Sequence, residues 1–333
     1  MSMLYITDQG AIITKTGERL VVKKARKEIF EIECFKLDTV LLCGNVQFTT
    51  QAARQMLKHG IEMALLTLDG EIIGQLTPPM PKNVLLRIGQ MEALSDEKFL
   101  LSMARSIVAA KVLNCSTVLR EYHRNYPGDD LKRVIGALKA AQREIAKAET
   151  IDGLFGIEGN AARIYWKGFS LVCLSDLKFD KRTRRPPKDP VNSLLSLGYT
   201  IVFNRIQGLL DGVGLDPYVG FFHKPKYGRP SLAADILEEF RGPLVDRFTL
   251  FLINKRVLTS SSFEPHEESG GIRLTRDGMK TYFEYFEKYM DKNRAGFDDP
   301  EMDFNAIIIR QVGRMVKAIK RIEAYEPFRL LFR

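Results

Sequence analysis

The sequence predicts an α+β protein, in which a small β-rich N-terminal domain, residues 1–80, precedes a larger all-α domain, residues 81–333. The first 80 residues contain short β-branched and apolar runs, whereas later apolar positions recur every three or four residues, as in helices. A proline-rich segment, residues 78–81, separates the two patterns. The whole net charge of +9 also lies after residue 80, because the first 80 residues hold nine basic and nine acidic side chains.

The β-rich segment contains three short runs that are typical of strands, at residues 11–14, 20–22 and 39–42. A hairpin is predicted from residues 64–68 to 71–76, because Asp69-Gly70 tolerates the positive φ of a tight turn. One helix is expected over residues 49–59, with a threonine cap at its start and Gly60 at its end.

The second segment predicts a series of helices. Their expected bounds are 95–122, 131–149, 157–169, 193–210, 231–241, 276–293 and 304–325. In the first of them, Ile107, Val108, Val112 and Cys115 follow the helical period, and Pro327 is expected to stop the last one. Two loops are predicted to be exposed, residues 178–188, which are strongly basic and expected to be mobile, and residues 265–272.

Composition excludes several classes of protein. Apolar residues make up 45% and charged residues 27%, as in globular domains and unlike disordered chains. The longest uncharged runs, residues 39–53 and 190–204, are shorter than the roughly 20 residues of a membrane span, so no membrane contact is expected. No signal peptide is recognisable at the start, which leads us to expect a cytoplasmic protein. The four cysteines form no CxxC pair, which argues against a zinc knuckle or a disulfide framework.

The basic excess after residue 80 favours a polyanionic partner for the second domain. Charge alone does not separate DNA from RNA, or either of them from a surface that only promotes solubility. Two basic groups are candidates for contacts with phosphate. They are Lys224, Lys226 and Arg229 in one segment, and Arg182, Arg184 and Arg185 in the basic loop.

One segment combines a histidine with two acids at helical spacing. His223 ends a glycine-rich apolar run, and Asp235 and Glu238 follow at positions i and i+3 of a predicted helix. Such a set of nitrogen and oxygen ligands suits Mg²⁺ or Mn²⁺. The alternative is a solvated helix face, which is what acids at this spacing usually form. Glu158, at a predicted helix start, is a further candidate, for which a simple helix-dipole partner is the alternative.

Four motifs occur in a fixed order along the chain, and together they are more specific than any one of them. They cover residues 156–166, 192–199, 214–223 and 229–241. In type and order they resemble the CRISPR-associated protein one family, the integrase and endonuclease of CRISPR spacer acquisition. The similarity extends over nearly the whole chain, including a β-rich N-terminal and a helical C-terminal domain.

The resemblance implies a ligand set and a reaction. Glu158, His223 and Glu238 correspond to the residues that bind a divalent ion in that family, with Asp235 as an auxiliary residue. Tyr165 is a candidate for contact with the substrate, with a packed aromatic side chain as the equal alternative. The implied activity is Mg²⁺- or Mn²⁺-dependent cleavage of DNA, and insertion of spacer DNA into a CRISPR array by attack of a 3′-hydroxyl on a phosphodiester.

The same resemblance implies partners: double-stranded DNA, both as spacer precursor and as CRISPR repeat, a second copy of the chain bound through the N-terminal domain, and CRISPR-associated protein two. Two other functions stay open. The chain is alternatively a catalytically silent DNA-binding scaffold of the same adaptation complex. An RNA-processing nuclease ranks last, because the sequence lacks the glycine-rich aromatic strand pattern of an RNA recognition module.

Overall fold

The chain forms two units, for which a computed structural model describes residues 3–67, 72–78, 83–267, 270–292 and 302–332. The first unit consists of Met1–Met80 together with Leu274–Phe283, and the second of Pro81–Arg273 together with Glu284–Arg333. The first unit therefore includes ten residues that the sequence analysis assigned to the helical domain. The ring of Phe283 stacks on Tyr5 at 4.1 Å, and Arg276 pairs with Asp8, which accounts for their place there.

The described part of the first 80 residues contains eight strands and one α-helix. They are β1 (Met3–Ile6), β2 (Ile12–Thr16), β3 (Arg19–Lys24), β4 (Lys27–Glu33), β5 (Thr39–Cys43), β6 (Gln47–Phe48), α1 (Thr50–Lys58), β7 (Glu62–Leu66) and β8 (Ile72–Leu76). The runs at 11–14, 20–22 and 39–42 thus belong to β2, β3 and β5, whereas β1, β4 and β6 were not predicted. The predicted Asp69-Gly70 turn lies outside the described residues.

These strands form two four-stranded sheets. One has the order β1-β5-β7-β8, with β5 parallel to both β1 and β7 and β8 antiparallel to β7. Strand β5 is buried from Val40 to Cys43, the continuous apolar pattern of a central parallel strand. The other sheet has the order β4-β3-β2-β6. Helix α1, capped by Thr49 as predicted, buries Ala52 and Met56 in the core of this unit.

The remainder of the described chain is mostly helical. Its elements are α2 (Val84–Ala93), α3 (Glu97–Asn125), α4 (Asp129–Lys147), α5 (Ile151–Val172), α6 (Pro190–Val213), α7 (Ser231–Phe240), a π-helical turn (Arg241–Asp246), α8 (Arg247–Asn254), β9 (Phe263–His266), β10 (Gly271–Leu274), α9 (Arg276–Lys292) and α10 (Phe304–Ile319). The predicted order of a β-rich region followed by a helical one is confirmed. The prediction of an all-α second domain is wrong in one respect, because β9 and β10 form a two-stranded sheet where a loop was expected.

Side-chain caps set where the helices that carry the site begin. Asp96 before α3, Thr150 before α5 and Asp189 before α6 each accept a hydrogen bond from a backbone N–H three residues later. Helix α5 consequently begins at Ile151, six residues earlier than predicted. Glu158 therefore lies two turns inside the helix, and its interpretation as a partner of the helix dipole is wrong.

Helix α3 packs against α4, α5 and α7 in the second unit. The approach of α5 is close, because a Cβ atom built on Gly168 would lie 2.6 Å from Cδ1 of Leu119. Among the described helices, α3 alone has the length and apolar composition of a membrane span, and half of that stretch is buried inside the protein. A core helix of a globular protein has the same properties. The packing of α3 brings its middle turn beside α5 and α7.

Candidate active site

The segment before α7 holds His223 in a single orientation through one buried carboxylate. Asp235 is fully buried. Its Oδ2 atom accepts hydrogen bonds from the backbone N–H groups of Phe221 and Phe222, at 2.6 and 3.0 Å. Its Oδ1 atom accepts from the backbone N–H of His223 at 2.9 Å and contacts the imidazole Nδ1 at 2.7 Å. Both oxygens of Asp235 are therefore in use, and the side chain positions the histidine.

This arrangement fixes the tautomer of His223. A carboxylate only accepts hydrogen bonds, so the imidazole Nδ1 must donate to Asp235. In the neutral imidazole the other ring nitrogen, Nε2, then carries a free lone pair. Nε2 lies 3.9 Å from Oε1 of Glu238. A metal-binding histidine is usually held in this way, by a carboxylate on the nitrogen that faces away from the ion.

Gly220 makes room for the Asp235 carboxylate. A Cβ atom at this position would lie 2.7 Å from the backbone carbon of Ser231 and 2.9 Å from Oδ2 of Asp235. Both distances are too short for a real contact, so any larger residue must displace either α7 or the carboxylate. The glycine in the motif therefore serves the packing of the segment that carries His223.

Glu158 and Glu238 are brought together by a lysine that the sequence analysis did not identify. The ammonium of Lys111, on α3, forms a close ion pair with Oε1 of Glu158 and lies 2.6 Å from Oε2 of Glu238. The side chains of Glu238 and Lys111 are only 4% and 14% exposed, so water screens this interaction weakly. The interpretation of Asp235 and Glu238 as a solvated helix face is wrong, since both are buried.

Arg241, one turn after Glu238, is the second cation at this carboxylate. Its Nε atom lies 3.0 Å from Oε1 of Glu238. Burial raises the pKa of Glu238, but the charges of Arg241 and Lys111 outweigh burial and hold the pKa well below its ordinary value. Burial likewise lowers the pKa of Lys111, and the two carboxylates reverse that effect and raise it. Glu238 is thus ionised and Lys111 charged across the physiological pH range.

Tyr165 lies in a buried cluster around Asp246. It is 3% exposed, and its hydroxyl donates to Oδ2 of Asp246 at 2.7 Å. Tyr199 donates to the other oxygen of Asp246, and the guanidinium of Arg241 lies 4.6 Å from the centre of its ring. Burial raises the pKa of Asp246 to about 6. In this structure Tyr165 is a packed aromatic residue with a satisfied hydroxyl, which was the alternative to contact with the substrate.

The residues present fit a hard divalent ion by chemistry, although the described residues contain no preformed cluster of three His, Cys, Asp or Glu ligands. Glu158 and Glu238 offer carboxylate oxygens, and His223 offers an oriented nitrogen, which is the mixed set that Mg²⁺ and Mn²⁺ accept. Within the described part of the chain, no donor meets the buried Oε2 of Glu238 with hydrogen-bond geometry. The ammonium of Lys111 lies 2.6 Å from that oxygen, so an ion that binds there must displace the ammonium.

Comparison with known proteins places the chain in a family. The family model of CRISPR associated protein Cas1 matches residues 4–288. The chain belongs to the Cas1 family. A CRISPR-associated exonuclease Cas4/endonuclease Cas1 fusion from Geobacter sulfurreducens is 34% identical over 87% of this chain, which spans 53% of that fusion. The CRISPR-associated endonuclease Cas1 3 of Thermus thermophilus is 30% identical, over 98% of this chain and 97% of the relative.

Solved structures share the fold of this Cas1-family chain. A casposase bound to integration product has a TM-score of 0.85 at 23% identity, with 100% of this chain and 93% of that chain covered. A chain of a Cas6-RT-Cas1--Cas2 complex has a TM-score of 0.83 at 28% identity, with 100% of this chain and 36% of that chain covered. The resemblance drawn from the four sequence motifs is confirmed.

The basic residues of this Cas1-family chain divide into exposed and anchored groups. Lys226 and Arg229 are exposed in a tight turn, in which the N–H of Arg229 donates to the carbonyl of Lys226 at 3.0 Å. Lys224 is exposed, and its Nζ atom lies 2.9 Å from Oδ1 of Asp152. Arg184 is exposed in the basic loop, and so is Arg185 beside it. These five side chains are accessible to a ligand.

Arg182 differs from its neighbours in the basic loop. Its guanidinium donates to Oδ1 of Asn192 at 2.8 Å and to Oγ of Ser196 at 3.0 Å. The loop is also anchored by Phe179, which is 5% exposed, and by a hydrogen bond from Asn192 to the carbonyl of Lys181. The loop is therefore anchored at these residues, and Arg182 holds it on α6 instead of facing solvent.

The residues that the sequence analysis missed have weak local signals. Lys111 lies four residues after Ile107 and four before Cys115, so it belongs to the apolar stripe of α3. A lysine on a buried stripe requires a charged partner, and this was the available signal. Arg241 lies three residues after Glu238, on the same helical face. Asp246 has no comparable signal, because its partners are 47 and 81 residues away.

Proposed function

We propose that this Cas1-family chain is a divalent-metal-dependent DNA endonuclease and integrase, which inserts spacer DNA into a CRISPR array by attack of a 3′-hydroxyl on a phosphodiester. The arrangement of Glu158, His223 and Glu238 carries the proposal. It combines two carboxylates, from α5 and α7, that contact the same ammonium with an imidazole nitrogen that Asp235 keeps free for a ligand. The curated relatives named as Cas1 endonucleases support the same reaction class.

The chemistry requires no nucleophilic side chain. Glu158, Glu238 and Nε2 of His223 would hold Mg²⁺ or Mn²⁺, with Asp235 keeping the imidazole in the correct tautomer. A bound ion would supply polarisation of the phosphoryl oxygen and offset the negative charge that develops on it. The 3′-hydroxyl oxygen forms the new bond to phosphorus, and the bridging oxygen of the repeat leaves; with water in place of the hydroxyl, the same geometry gives cleavage. Arg241 lies beside Glu238, where it keeps this carboxylate ionised.

The five accessible basic side chains form the proposed DNA contact. Three of them, Lys224, Lys226 and Arg229, lie between His223 and α7 in sequence, so DNA held by them would pass close to the proposed ligands. Each phosphate contact contributes about 0.9 to the slope of log affinity against log salt. The double variant Lys226→Ala/Arg229→Ala should therefore reduce this slope by about 2, and an unchanged slope would exclude the turn from the footprint.

Further partners are proposed on the same basis. The solved Cas6-RT-Cas1--Cas2 complex supports assembly of this chain with CRISPR-associated protein two. A homodimer formed through the first unit, and a cytoplasmic location, belong to the same proposal. Analytical ultracentrifugation of the purified chain, alone and with the partner protein, tests the two assemblies.

The decisive experiment compares ligand variants with an exposed acid. Glu158→Gln, Glu238→Gln and His223→Ala should each lower Mn²⁺-dependent joining of a spacer-like duplex to a CRISPR repeat at least about a hundredfold. Glu284→Gln is the control, because Glu284 pairs with Lys288 on an exposed helix face. Circular dichroism verifies folding of each variant. Undiminished joining in all three ligand variants would refute the proposal.

The second candidate function is a catalytically silent DNA-binding scaffold. The observation that favours it is the position of Lys111, whose ammonium lies between the carboxylates proposed to bind the ion. A silent scaffold binds DNA in a salt-sensitive manner and shows neither cutting nor joining at any concentration of Mn²⁺ or Mg²⁺. Metal-dependent joining by the wild-type chain that is abolished by EDTA would exclude it.

A further inference from the structure

Lys111 lies on a part of α3 where a charged side chain is unexpected. Ile107 and Cys115, one turn before and one turn after it, are 0% and 5% exposed. A lysine in such surroundings is stable only when nearby carboxylates compensate for its lost hydration. Glu158 and Glu238 provide this compensation from two other helices. The three side chains therefore depend on one another for their positions.

The charges around Lys111 balance without any added ion. Glu158 and Glu238 contribute two negative charges, and Lys111 and Arg241 contribute two positive ones. His223 donates Nδ1–H to Asp235, whose own charge is met by three backbone N–H groups. The site thus contains a complete set of counter-charges, and an entering divalent cation must displace one of them.

The contacts identify the carboxylate oxygens for which the ammonium and an ion would compete. Lys111 contacts Oε1 of Glu158 and Oε2 of Glu238, while Arg241 contacts Oε1 of Glu238. An ion that binds both carboxylates must take an oxygen of Glu238 that Lys111 or Arg241 now contacts, and its positive charge would repel the ammonium that lies between the two carboxylates. Without any cation between them, two carboxylates in a poorly screened site would repel each other and move apart. Lys111 therefore has two opposing effects, one on the metal-free protein and one on the affinity for metal.

We propose that Lys111 is a built-in counter-ion, which keeps Glu158 and Glu238 together in the metal-free protein and competes with a divalent cation for their oxygens. The ammonium withdraws from at least one carboxylate when the ion binds. Lys111 is in this sense a positioning residue for the site. The inference rests on the proposed function, because it concerns the same carboxylates.

The test measures Mn²⁺ affinity and thermal stability of the full chain without DNA. Lys111→Met keeps the length of the side chain and removes its charge. Its affinity for Mn²⁺, followed by the electron paramagnetic resonance signal of free Mn²⁺, should be about tenfold tighter than that of the wild type. Its melting temperature should be lower than that of the wild type in EDTA, and should rise more on addition of Mn²⁺.

Two controls separate competition from a general loss of packing. Lys288→Met removes a lysine from an exposed ion pair with Glu284 and should change neither quantity. Lys111→Arg keeps the charge and should bind Mn²⁺ no more tightly than the wild type. A residue with only a structural role would weaken or preserve Mn²⁺ binding when removed, so a tighter affinity is specific to competition.

The proposal is overturned if folded Lys111→Met binds Mn²⁺ with the affinity of the wild type or more weakly. Should that variant not fold in EDTA, crystal structures of the wild type with EDTA and with Mn²⁺ decide. The proposal would also be overturned if Nζ of Lys111 stayed in contact with both carboxylates beside a bound ion.

Variants of the ligands distinguish this failure from failure of the proposed function. If the wild type binds Mn²⁺ and the variants Glu158→Gln and Glu238→Gln do not, the metal site is supported. If such binding is found but Lys111→Met is not tighter, the counter-ion role fails and the proposed function stands. If neither the wild type nor Lys111→Met binds Mn²⁺, both fail.

Discussion

Replacement of Asp235 by asparagine tests how the imidazole of His223 is positioned. The substitution keeps the shape of the side chain and removes its charge, so packing is disturbed little. What changes is the number of acceptors, because an amide offers one oxygen and one NH₂ donor where the carboxylate offers two oxygens. The four donors around Asp235 make that difference decisive.

The expected loss in the free energy of unfolding follows from the hydrogen bonds that Asp235 accepts. Whichever way the amide is turned, its nitrogen faces two donors: the N–H groups of Phe221 and Phe222 on one side, or the N–H and Nδ1–H of His223 on the other. Two hydrogen bonds to a charged acceptor are lost, each worth about 1.5–3 kcal/mol. Asp235→Asn should therefore lower the free energy of unfolding by about 3–6 kcal/mol, and Mn²⁺ affinity by about 10- to 100-fold.

Urea unfolding measures the first quantity, and hydrogen exchange gives a local readout. Exchange at the amides of Phe221, Phe222 and His223 should become faster, since these amides lose their acceptor. Asp176→Asn is the matched control, because that carboxylate is 93% exposed and its loss should cost no more than about 0.5 kcal/mol. A loss below about 1 kcal/mol in Asp235→Asn, with unchanged exchange at these three amides, would refute the reasoning.

Other predictions follow from the same contacts. Gly220→Ala should destabilise the chain by about 1–3 kcal/mol in urea unfolding, whereas Gly212→Ala, where a Cβ atom meets nothing within 4 Å, should not. Burial raises the pKa of Glu239 from 4.5 to about 7, so the native protein binds protons more readily than the unfolded chain between these values. The free energy of unfolding should consequently fall by about 3 kcal/mol as the pH rises through this window, and Glu239→Gln should reduce the fall. Tyr165→Phe should cost about 1 kcal/mol by loss of its hydrogen bond and leave DNA joining intact; lost joining in a folded protein would indicate contact with the substrate.

The local pattern of apolar residues predicted most of the helices and strands. Those that were not predicted have physical reasons. Strand β5 was recognised by its continuous apolar run, and helix α3 by apolar positions that follow the helical period. Strand β4 was missed because it is an edge strand whose residues are mostly exposed, so its sequence lacks an apolar alternation. Helix α2 follows the proline segment closely and has only ten residues, which gave too short a pattern to recognise.

The site was predictable where a motif carried it. Glu158, His223 and Glu238 were found because each lies in a run of unusual residues in a fixed order. Lys111 lies in no motif, and its role depends on contacts 47 and 127 positions away in the chain. Arg182 shows the converse, since composition indicated an exposed cation and the fold gave it hydrogen-bond acceptors on α6. Lys111 and Arg182 both depend on side-chain pairs between different elements of the fold, and a single sequence does not show such pairs.

Helix α7 shows how three acids can be buried together without mutual repulsion. All ten of its residues are buried, including Asp235, Glu238 and Glu239. Each acid has its own partners: Asp235 the backbone before the helix, Glu238 the cations of α3 and the π-helical turn, and Glu239 the hydroxyl of Tyr325 and the N–H of Phe328. The first positions a histidine, the second is a proposed ligand, and the third anchors the C-terminal segment. Because Glu238 and Glu239 have no side-chain partner in common, substitution of Glu239 should impair anchoring of that segment and leave Mn²⁺ binding intact, whereas substitution of Glu238 should have the opposite effect.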